Sequence, residues 1–199
     1  MTTDAAFSTD PWTWFRDAFA RAMHGESFDA SRAALATADA SGRPSVRFVL
    51  VKQVDERGFV FFTNLDSNKA HDLAVNPNAA LAFHWVSTGE QVRAAGGVSP
   101  IDAAESDAYF VTRPRGSQLA AWASHQSADI ADRAALLDRL RDIERRFAGA
   151  ASIPRPAFWG GYRLQPDRIE FWHDRPDRLH DRWLFSRAGA SWRLTRLQP

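Results

Sequence analysis

The chain has 199 residues, 45% of them hydrophobic and 25% charged, which predicts one globular domain with a sizeable core. Its formal net charge of +1 creates no overall field that favours nucleic acid or a membrane, and we expect neither as a partner. The absence of cysteine excludes disulfides, thiolate metal sites and a cysteine nucleophile. Residues 1–9 are mostly small and polar and lack a secretory signal, so we expect a disordered arm before a single domain over residues 10–199. Because no stretch approaches transmembrane length, we expect a cytoplasmic protein.

The first half of the chain predicts one helix followed by several strands. Asp10 and Pro11 are typical of a helix N-cap and first turn, and apolar residues follow them at helical spacing. The following segments carry strand-like apolar patterns and are separated by turn residues. They predict strands at residues 33–38, 46–54, 59–63, 79–86 and 91–98, with a helix at residues 67–75.

The second half predicts inserted helices and a final set of strands. A helix start at residues 99–102 leads into helices that continue with breaks to residue 147, and a proline-rich loop follows at residues 153–156. Strands are expected near residues 162–164, 169–172, 183–187 and 192–197. Six or more antiparallel strands with helices between them predict an α+β fold, an antiparallel barrel with peripheral helices.

Cations and aromatic rings are concentrated in residues 170–185. On a strand, Arg178, His180 and Arg182 would point to one face, beside the indole of Trp172. Such a face suits a planar, anionic, aromatic ligand, because guanidinium groups bind its charge and flat groups stack on its rings. An ordinary solvated, charged loop is the alternative.

Two further places in the sequence predict binding of an anion. Lys69 lies in the first turn of the predicted helix 67–75, where free N–H groups and the helix dipole favour an anion, and Arg47 lies on a neighbouring predicted strand. Tyr109, Arg113 and Ser117 are spaced four residues apart, so they would share one face if the helix continued past Pro114. The alternatives are a surface lysine at the first place and an ordinary amphipathic helix at the second.

Other site classes find no support in the sequence. No pair or triad of residues has convincing metal-ligand spacing, and neither a dinucleotide-binding nor a P-loop motif is present. The tryptophan-rich tail could suggest stacking on single-stranded nucleic acid, but there is no extended basic stripe to bind its backbone.

The order and spacing of these motifs resemble the pyridoxine (pyridoxamine) 5′-phosphate oxidases, which are FMN-dependent enzymes of vitamin B6 metabolism. The resemblance covers residue 10 to the C-terminus and is carried by residues 47–52, 61–69, 109–118, 124–127, 158–161, 170–172, 178–182 and 196–199. It implies an FMN-binding split β-barrel, antiparallel and Greek-key-like, that forms a homodimer with the cofactor at the subunit interface. It also implies oxidation of pyridoxine and pyridoxamine 5′-phosphate to pyridoxal 5′-phosphate, with O2 as acceptor and H2O2 released.

The resemblance also assigns roles to individual residues. The FMN phosphate would be bound by Arg47, Lys69, Gln126 and Ser127. The rest of the cofactor would contact Phe48, Val49, Leu50, Lys52, Phe62, Thr63, Asn68, Gln91, Trp172 and Arg182. The substrate 5′-phosphate would be bound by Lys52, Tyr109, Arg113 and Ser117. Arg178 and His180 would lie against the pyridine ring as the catalytic pair.

The sequence departs from the family pattern at one site position and in its short N-terminal arm. The family commonly has Ser-Arg-Lys where this chain has Ser67, Asn68 and Lys69. A charge-assisted hydrogen bond contributes on the order of 1.5–3 kcal/mol, so we expect FMN to bind ~10-fold or more weakly than with arginine at this position. The arm often adds substrate contacts in the family.

Two other functions remain open. Flavin oxidases of phenazine biosynthesis resemble the family closely and act on a reduced tricyclic acid. Retention of Lys52, Tyr109, Arg113 and Ser117 favours a B6 phosphate, whereas the short arm and Asn68 leave the phenazine alternative open. The other possibility is a non-catalytic split-barrel protein that binds flavin or haem, although such a protein has no reason to keep both catalytic candidates beside the phosphate residues.

Overall fold

The computed structural model describes residues 10–199, so the predicted arm at residues 1–9 lies outside the described part. The helices are α1 (Pro11–Gly25), α2 (Asn68–Val75), α3 (Ala103–Thr112), α4 (Arg115–Ala123) and α5 (Arg133–Arg146). The strands are β1 (Arg32–Ala38), β2 (Pro44–Asp55), β3 (Gly58–Asn64), β4 (Asn78–Trp85), β5 (Glu90–Pro100), β6 (Trp159–His173), β7 (Asp181–Ala188) and β8 (Ser191–Leu197). Among the described helices, none is both long and apolar enough to cross a membrane.

The strands form an antiparallel sheet that closes on itself. Their order is β3-β2-β1-β4-β5-β6-β7-β8, and a further pairing between β3 and β6 joins six of them into a barrel. The remaining two strands, β7 and β8, extend the sheet from the second half of β6. Helices α3, α4 and α5 form the connection between β5 and β6. The predicted α+β split barrel with peripheral helices is therefore confirmed.

Strand β6 corrects one prediction, because it is a single 15-residue strand where the sequence pattern predicts two short ones. Pro166 interrupts the strand-like pattern, but the sheet accommodates it at a bulge: Gly96 pairs with Pro166, whereas Ala95 pairs with Arg168. The first half of β6 pairs with β3 and the second half with β7. One strand thus belongs to both the barrel and its extension.

Helix α1 packs its apolar face against the inner side of the barrel. Asp10 caps it as predicted, since its carboxylate accepts hydrogen bonds from the amides of Trp12 at 3.2 Å and Thr13 at 2.9 Å. Phe15 is buried and contacts Phe59 and Phe83 edge-on, with ring centroids 5.1 and 5.2 Å apart. A second, smaller core lies beneath the inserted helices and consists of Phe110, Leu119, Phe147, Ile153 and Trp159.

Candidate active site

A pocket of about 450 Å³, here called the β2–α2 pocket, lies between β2 and the start of α2. It brings together most of the residues predicted to bind the cofactor. They are Arg47, Phe48, Val49, Phe62, Thr63, Asn68, Lys69, Gln126 and Ser127. The residues come from β2, β3, α2 and the loop after α4, so the tertiary structure assembles the group.

Lys69 is buried at the base of this pocket, with 7% of its surface exposed, so the surface-lysine alternative is wrong. Its ammonium donates to Thr63 Oγ1 at 3.0 Å, Ser67 Oγ at 3.1 Å and Gln126 Oε1 at 2.6 Å. Within residues 10–199 it forms no ion pair with a carboxylate. Burial, and secondly the charge of Arg47, lowers the pKa of Lys69 from 10.5 to about 8. A buried cation surrounded by neutral oxygens and a second cation is suited to an anionic ligand.

Two neighbours of Lys69 strengthen this anion site. The Arg47 guanidinium donates to Thr37 Oγ1 at 2.6 Å and lies 3.7 Å from Asp72, which holds the side chain in place. Burial lowers the pKa of Arg47, although Asp72 opposes that effect. Ser127 adopts a left-handed backbone conformation at φ 72°, and its hydroxyl accepts a hydrogen bond from the amide of Asn68 at 3.3 Å. The start of α2, two cations and a hydroxyl therefore converge, as a phosphate site requires.

A second pocket of about 390 Å³, here called the β2–α3 pocket, adjoins the first and shares Phe62 with it. It is lined by the four residues predicted to bind the substrate phosphate, which are Lys52, Tyr109, Arg113 and Ser117, and by two further predicted cofactor residues, Leu50 and Phe62. The other predicted substrate residues, Arg178 and His180, do not line it. Arg113 stacks over Trp159 with its guanidinium carbon 4.8 Å from the ring centroid. Its Nη1 is the one buried side-chain nitrogen or oxygen of the described residues without a hydrogen-bond partner. Burial lowers the pKa of Arg113, so an anion that supplied the missing partner would be stabilised.

The helix does not continue past Pro114, because it breaks at Arg113 and Pro114 between α3 and α4, so Tyr109, Arg113 and Ser117 do not share one helical face. Proline has no N–H and disfavours helical backbone in the preceding residue, so α3 ends before it. Gln118, which the sequence reasoning missed, stabilises the break by donating to the carbonyls of Phe110 at 3.1 Å and Arg113 at 3.0 Å. The break turns Arg113 toward Ser117 in the first turn of α4, so the predicted group still lines one pocket.

Two residues of the β2–α3 pocket are positioned by contacts the sequence did not reveal. Lys52 lies at an irregularity in the pairing of β2 with β3, and its ammonium is 3.1 Å from Asp29 Oδ2 and 3.3 Å from Ser31 Oγ. Phe62 stacks on Tyr109, with centroids 4.0 Å apart and planes 14° apart. The pocket therefore has a basic wall and a flat aromatic wall.

Three other predicted cofactor residues form a row across adjacent strands. Gln91 on β5 pairs with Trp172 on β6, which pairs with Arg182 on β7, so the three side chains share one face. Glu170, for which the sequence reasoning gave no role, lies on the same face and accepts a hydrogen bond from Arg182 Nε at 2.8 Å. Glu170 lies on a strand whose side chains alternate between two faces, and it faces two arginines. That alternation is the sequence signal that could have identified Glu170.

The predicted strand face with Arg178, His180 and Arg182 is wrong. Pro176–Arg178 is a short 3-10 turn, and β7 begins only at Asp181. Asp177 and Arg178 have left-handed backbone at φ 58° and 62°, so Arg178 lies in the turn and is separated from Arg182, which lies on β7. Within residues 10–199, left-handed non-glycine residues occur in this loop and at Ser127 alone, and both places carry predicted site residues.

His180 is nevertheless well placed within this loop. Its ring lies 4.5 Å from the ring of Trp172, and its Nδ1 lies 3.1 Å from Asp174 Oδ1 and 3.2 Å from the amide nitrogen of Arg175. His180 thus adjoins the cross-strand row, whereas Arg178 is exposed at the turn.

A single protomer does not bring all these residues together. Trp159 of the β2–α3 pocket and Trp172 of the row lie near opposite ends of β6. At about 3.3 Å per residue a strand of this length runs roughly 45 Å. In one protomer the two adjoining pockets therefore lie near one end of β6, and the row lies near the other end.

The fold and the pockets are typical of a flavin-binding split-barrel protein, and comparison with known proteins leads to the same class. Residues 24–147 match the family model described as pyridoxamine 5′-phosphate oxidase. Residues 159–199 match the model of the pyridoxine 5′-phosphate oxidase C-terminal dimerisation region. The chain belongs to the pyridoxamine 5′-phosphate oxidase family of flavin-dependent split-barrel proteins.

The similar individual proteins carry three different names. The chain is 57% identical over 190 residues to a pyridoxine/pyridoxamine 5′-phosphate oxidase of Anaeromyxobacter dehalogenans, covering 96% of each chain. It is 50% identical to the protein of that name from Rubrobacter xylanophilus, covering 96% of this chain and 87% of the relative. Among solved structures, PhzG from Burkholderia lata, in complex with tetrahydrophenazine-1-carboxylic acid, matches with a TM-score of 0.89, 31% identity and full coverage of both chains. An FMN-binding protein of Nostoc punctiforme shares the fold with a TM-score of 0.76 and 22% identity, covering 96% of this chain and 98% of its own.

FMN is the cofactor of this family, and the β2–α2 pocket fits its phosphate. The fit rests on Lys69, a buried ammonium with no carboxylate partner in the described chain, at the start of α2.

Proposed function

We propose that this protein oxidises pyridoxine 5′-phosphate and pyridoxamine 5′-phosphate to pyridoxal 5′-phosphate. The observation that carries this proposal is the buried, unpartnered Nη1 of Arg113 in a pocket that also holds Lys52 and Ser117. Such a group is costly unless an anion completes its hydrogen bonds, and a phosphate ester has the oxygens to do so. The adjoining anion site at Lys69 is then available to the phosphate of FMN.

The overall reaction balances with dioxygen as the oxidant. The alcohol and O2 give the aldehyde and H2O2, whereas the amine, O2 and water give the aldehyde, ammonia and H2O2. Bound FMN would supply the redox chemistry, because a flavin can take two electrons from the substrate and return them to dioxygen.

The side chains of this protein would bind and orient the substrate. Arg113 and Ser117 would hold the 5′-phosphate at the start of α4, while Lys52, released from Asp29, would add a third contact. Arg178 and His180 would lie against the pyridine ring, where the guanidinium can stabilise charge and the imidazole can orient the substrate by hydrogen bonding. No dedicated strong base is evident in the described site, so positioning would supply most of the catalysis.

We further propose that the site is completed by a second copy of the chain in a homodimer, with FMN at the interface. This proposal is supported by the separation of the pockets from the cross-strand row along β6 and by the match to a dimerisation region. It is also supported by an apolar stripe on β2, where Val46, Phe48 and Leu50 are 69%, 72% and 40% exposed. Gln91, Trp172 and Arg182 of one protomer would then reach the cofactor bound at the β2–α2 pocket of its partner.

The test is turnover of pyridoxine 5′-phosphate in air by the purified protein with added FMN, followed as pyridoxal 5′-phosphate and H2O2. We expect both products in equal amounts. The double variant Arg178→Ala, His180→Ala should keep FMN and lose turnover, whereas a protein that merely binds flavin would turn over in neither form.

A second candidate is oxidation of a reduced tricyclic acid, as in phenazine biosynthesis. It is supported by the similarity to PhzG, whose solved complex holds tetrahydrophenazine-1-carboxylic acid. Arg113 could pair with a carboxylate as well as with a phosphate. Turnover of this acid, with FMN bound and no oxidation of pyridoxine 5′-phosphate, would favour the second candidate over the first.

A further inference from the structure

The Arg182 guanidinium is held from two sides within the described chain. Its Nε donates to Glu170 Oε1 at 2.8 Å, and its Nη1 donates to the backbone carbonyl of Gln198 at 3.0 Å. Its Nη2 forms no hydrogen bond with any residue in the range 10–199. Because a guanidinium is planar, contacts at two of its nitrogens also fix the direction of the third nitrogen, Nη2.

Glu170 is a buried carboxylate with both oxygens engaged. Its side chain is 8% exposed, and while Oε1 accepts from Arg182, Oε2 accepts from Arg93 on β5. Burial alone would raise the pKa of Glu170, but the hydrogen bonds from Arg182 and then Arg93 outweigh burial and lower the pKa. The carboxylate is therefore charged at neutral pH and forms charge-assisted hydrogen bonds, the stronger kind.

The charges around Glu170 leave the row suited to an anionic ligand. Arg93 and Glu170 are a cross-strand pair on the same face as Gln91 and Trp172, because side chains two residues apart on a strand share a face. One carboxylate faces two guanidinium groups, and because the side chain of Arg93 is 56% exposed and screened by solvent, Arg182 is the cation that an anionic ligand would meet.

We infer that Glu170, together with the C-terminal carbonyl of Gln198, is a positioning element that fixes Arg182 for binding FMN. This inference rests on the proposed contact of Arg182 with the cofactor. Glu170 and Gln198 would not touch the reacting atoms and would act only through Arg182. The Nη2 of Arg182, which has no hydrogen-bond partner in the described chain, is left to donate to the ligand. Arg93 pairs with the second oxygen of Glu170 and does not contact Arg182.

The test is titration of FMN into FMN-free protein, followed by tryptophan and flavin fluorescence, for wild type, Glu170→Gln and the matched control Arg93→Gln. Glu170→Gln removes the carboxylate charge and leaves Arg182 only a neutral amide oxygen as acceptor, so the guanidinium is held less firmly and we expect FMN to bind about 10-fold more weakly. Arg93→Gln should change the affinity by less than about threefold, because it removes only a partly exposed partner of the other oxygen. Equal affinity for wild type and Glu170→Gln would overturn the inference.

A second variant covers the case in which Glu170→Gln does not fold. Removal of Gln198 and Pro199, with the new C-terminus amidated so that no carboxylate forms beside Arg182, deletes the acceptor of Arg182 Nη1. We expect FMN binding to weaken by about threefold or more for the loss of one hydrogen bond from a charged donor. Unchanged affinity would overturn the inference here too.

An NMR signal reports the position of Arg182 independently of activity. The Nε–H resonance of Arg182, assigned by its loss in Arg182→Lys, should be slow to exchange in wild type and Arg93→Gln and broadened in Glu170→Gln. A resonance unaffected by Glu170→Gln would contradict the inference. If Arg182→Ala binds FMN as wild type does, the proposed contact of Arg182 fails and the inference with it, whereas the oxidase proposal is decided separately by turnover.

Discussion

Replacing Lys69 with methionine should remove most of the change in stability that the FMN-free protein shows between pH 8 and pH 10. Burial, and then Arg47, lowers the pKa of Lys69 from 10.5 to about 8 in the folded protein. Between these two values the unfolded chain binds more protons than the folded one. Stability therefore rises with pH across this window in the wild type.

The size of the effect follows from the two pKa values. Each pKa unit corresponds to about 1.4 kcal/mol, so keeping Lys69 charged in the folded state costs roughly 3 kcal/mol at pH 7. Integration over pH 8 to 10 gives an increase of about 2 kcal/mol in the free energy of unfolding. The chain has only two lysines, Lys52 and Lys69, and two tyrosines, so few other groups titrate in this range. Burial raises the pKa of Tyr162, which lowers stability only above about pH 10, so the measurement ends there.

The assay is urea unfolding at pH 8, 9 and 10, followed by tryptophan fluorescence at a fixed protein concentration, because the stability of a dimer depends on concentration. Lys69→Met should give a nearly flat profile. Lys69→Arg keeps the charge without titrating in this range, so it should also be flat.

The affinity for FMN should depend on the protonation of the same lysine, but it should fall as the pH rises. An anion binds the protonated lysine more tightly, so the affinity of wild type should fall by up to about 10-fold per pH unit above pH 8. The reasoning is refuted if the stability of wild type is flat or falls from pH 8 to 10, or if Lys69→Met shows the same rise.

Three further predictions concern single side chains. Asn68→Arg should tighten FMN binding about 10-fold by adding a charge-assisted contact, and an unchanged dissociation constant in a fluorescence titration would show that no such contact forms. Arg113→Met should raise the KM for pyridoxine 5′-phosphate at least about 10-fold without lowering the thermal midpoint of the FMN-free protein, since it removes a buried nitrogen that lacks a partner; a lower midpoint with normal KM would make Arg113 structural. Asp10→Ala should destabilise the protein by about 1 kcal/mol in urea unfolding through loss of the α1 cap, with kcat unchanged.

Local sequence signals predicted the elements of the fold well. The capping pair Asp10 and Pro11 marks the start of α1, and turn residues separate the strands of the barrel close to their observed bounds. The prediction failed at Pro166, because a bulge in the pairing of β5 with β6 accommodates a proline that would otherwise end a strand. Such tolerance depends on the partner strand, which the local sequence does not contain.

For the candidate site, too, some features could be predicted from the sequence and others could not. Most residues of both pockets were implied by the resemblance to the family, but the sequence did not settle the backbone at two places: whether the helix continues past Pro114, and whether Arg178 lies on a strand. In the first case Gln118 stabilises a break that still brings Arg113 and Ser117 to one pocket. In the second, left-handed backbone turns the loop away from the strand.

The sequence by itself determined the order of the strands and helices, because propensity, capping and periodicity act over a few neighbouring residues. Its motifs implied the composition of the site through their resemblance to the family. Only the tertiary structure decided that Lys69 is buried with no carboxylate partner among residues 10–199, and that Glu170 holds Arg182. Burial and charge pairing depend on residues far apart in the chain, and these long-range contacts set the pKa of Lys69 and the direction of the Arg182 guanidinium.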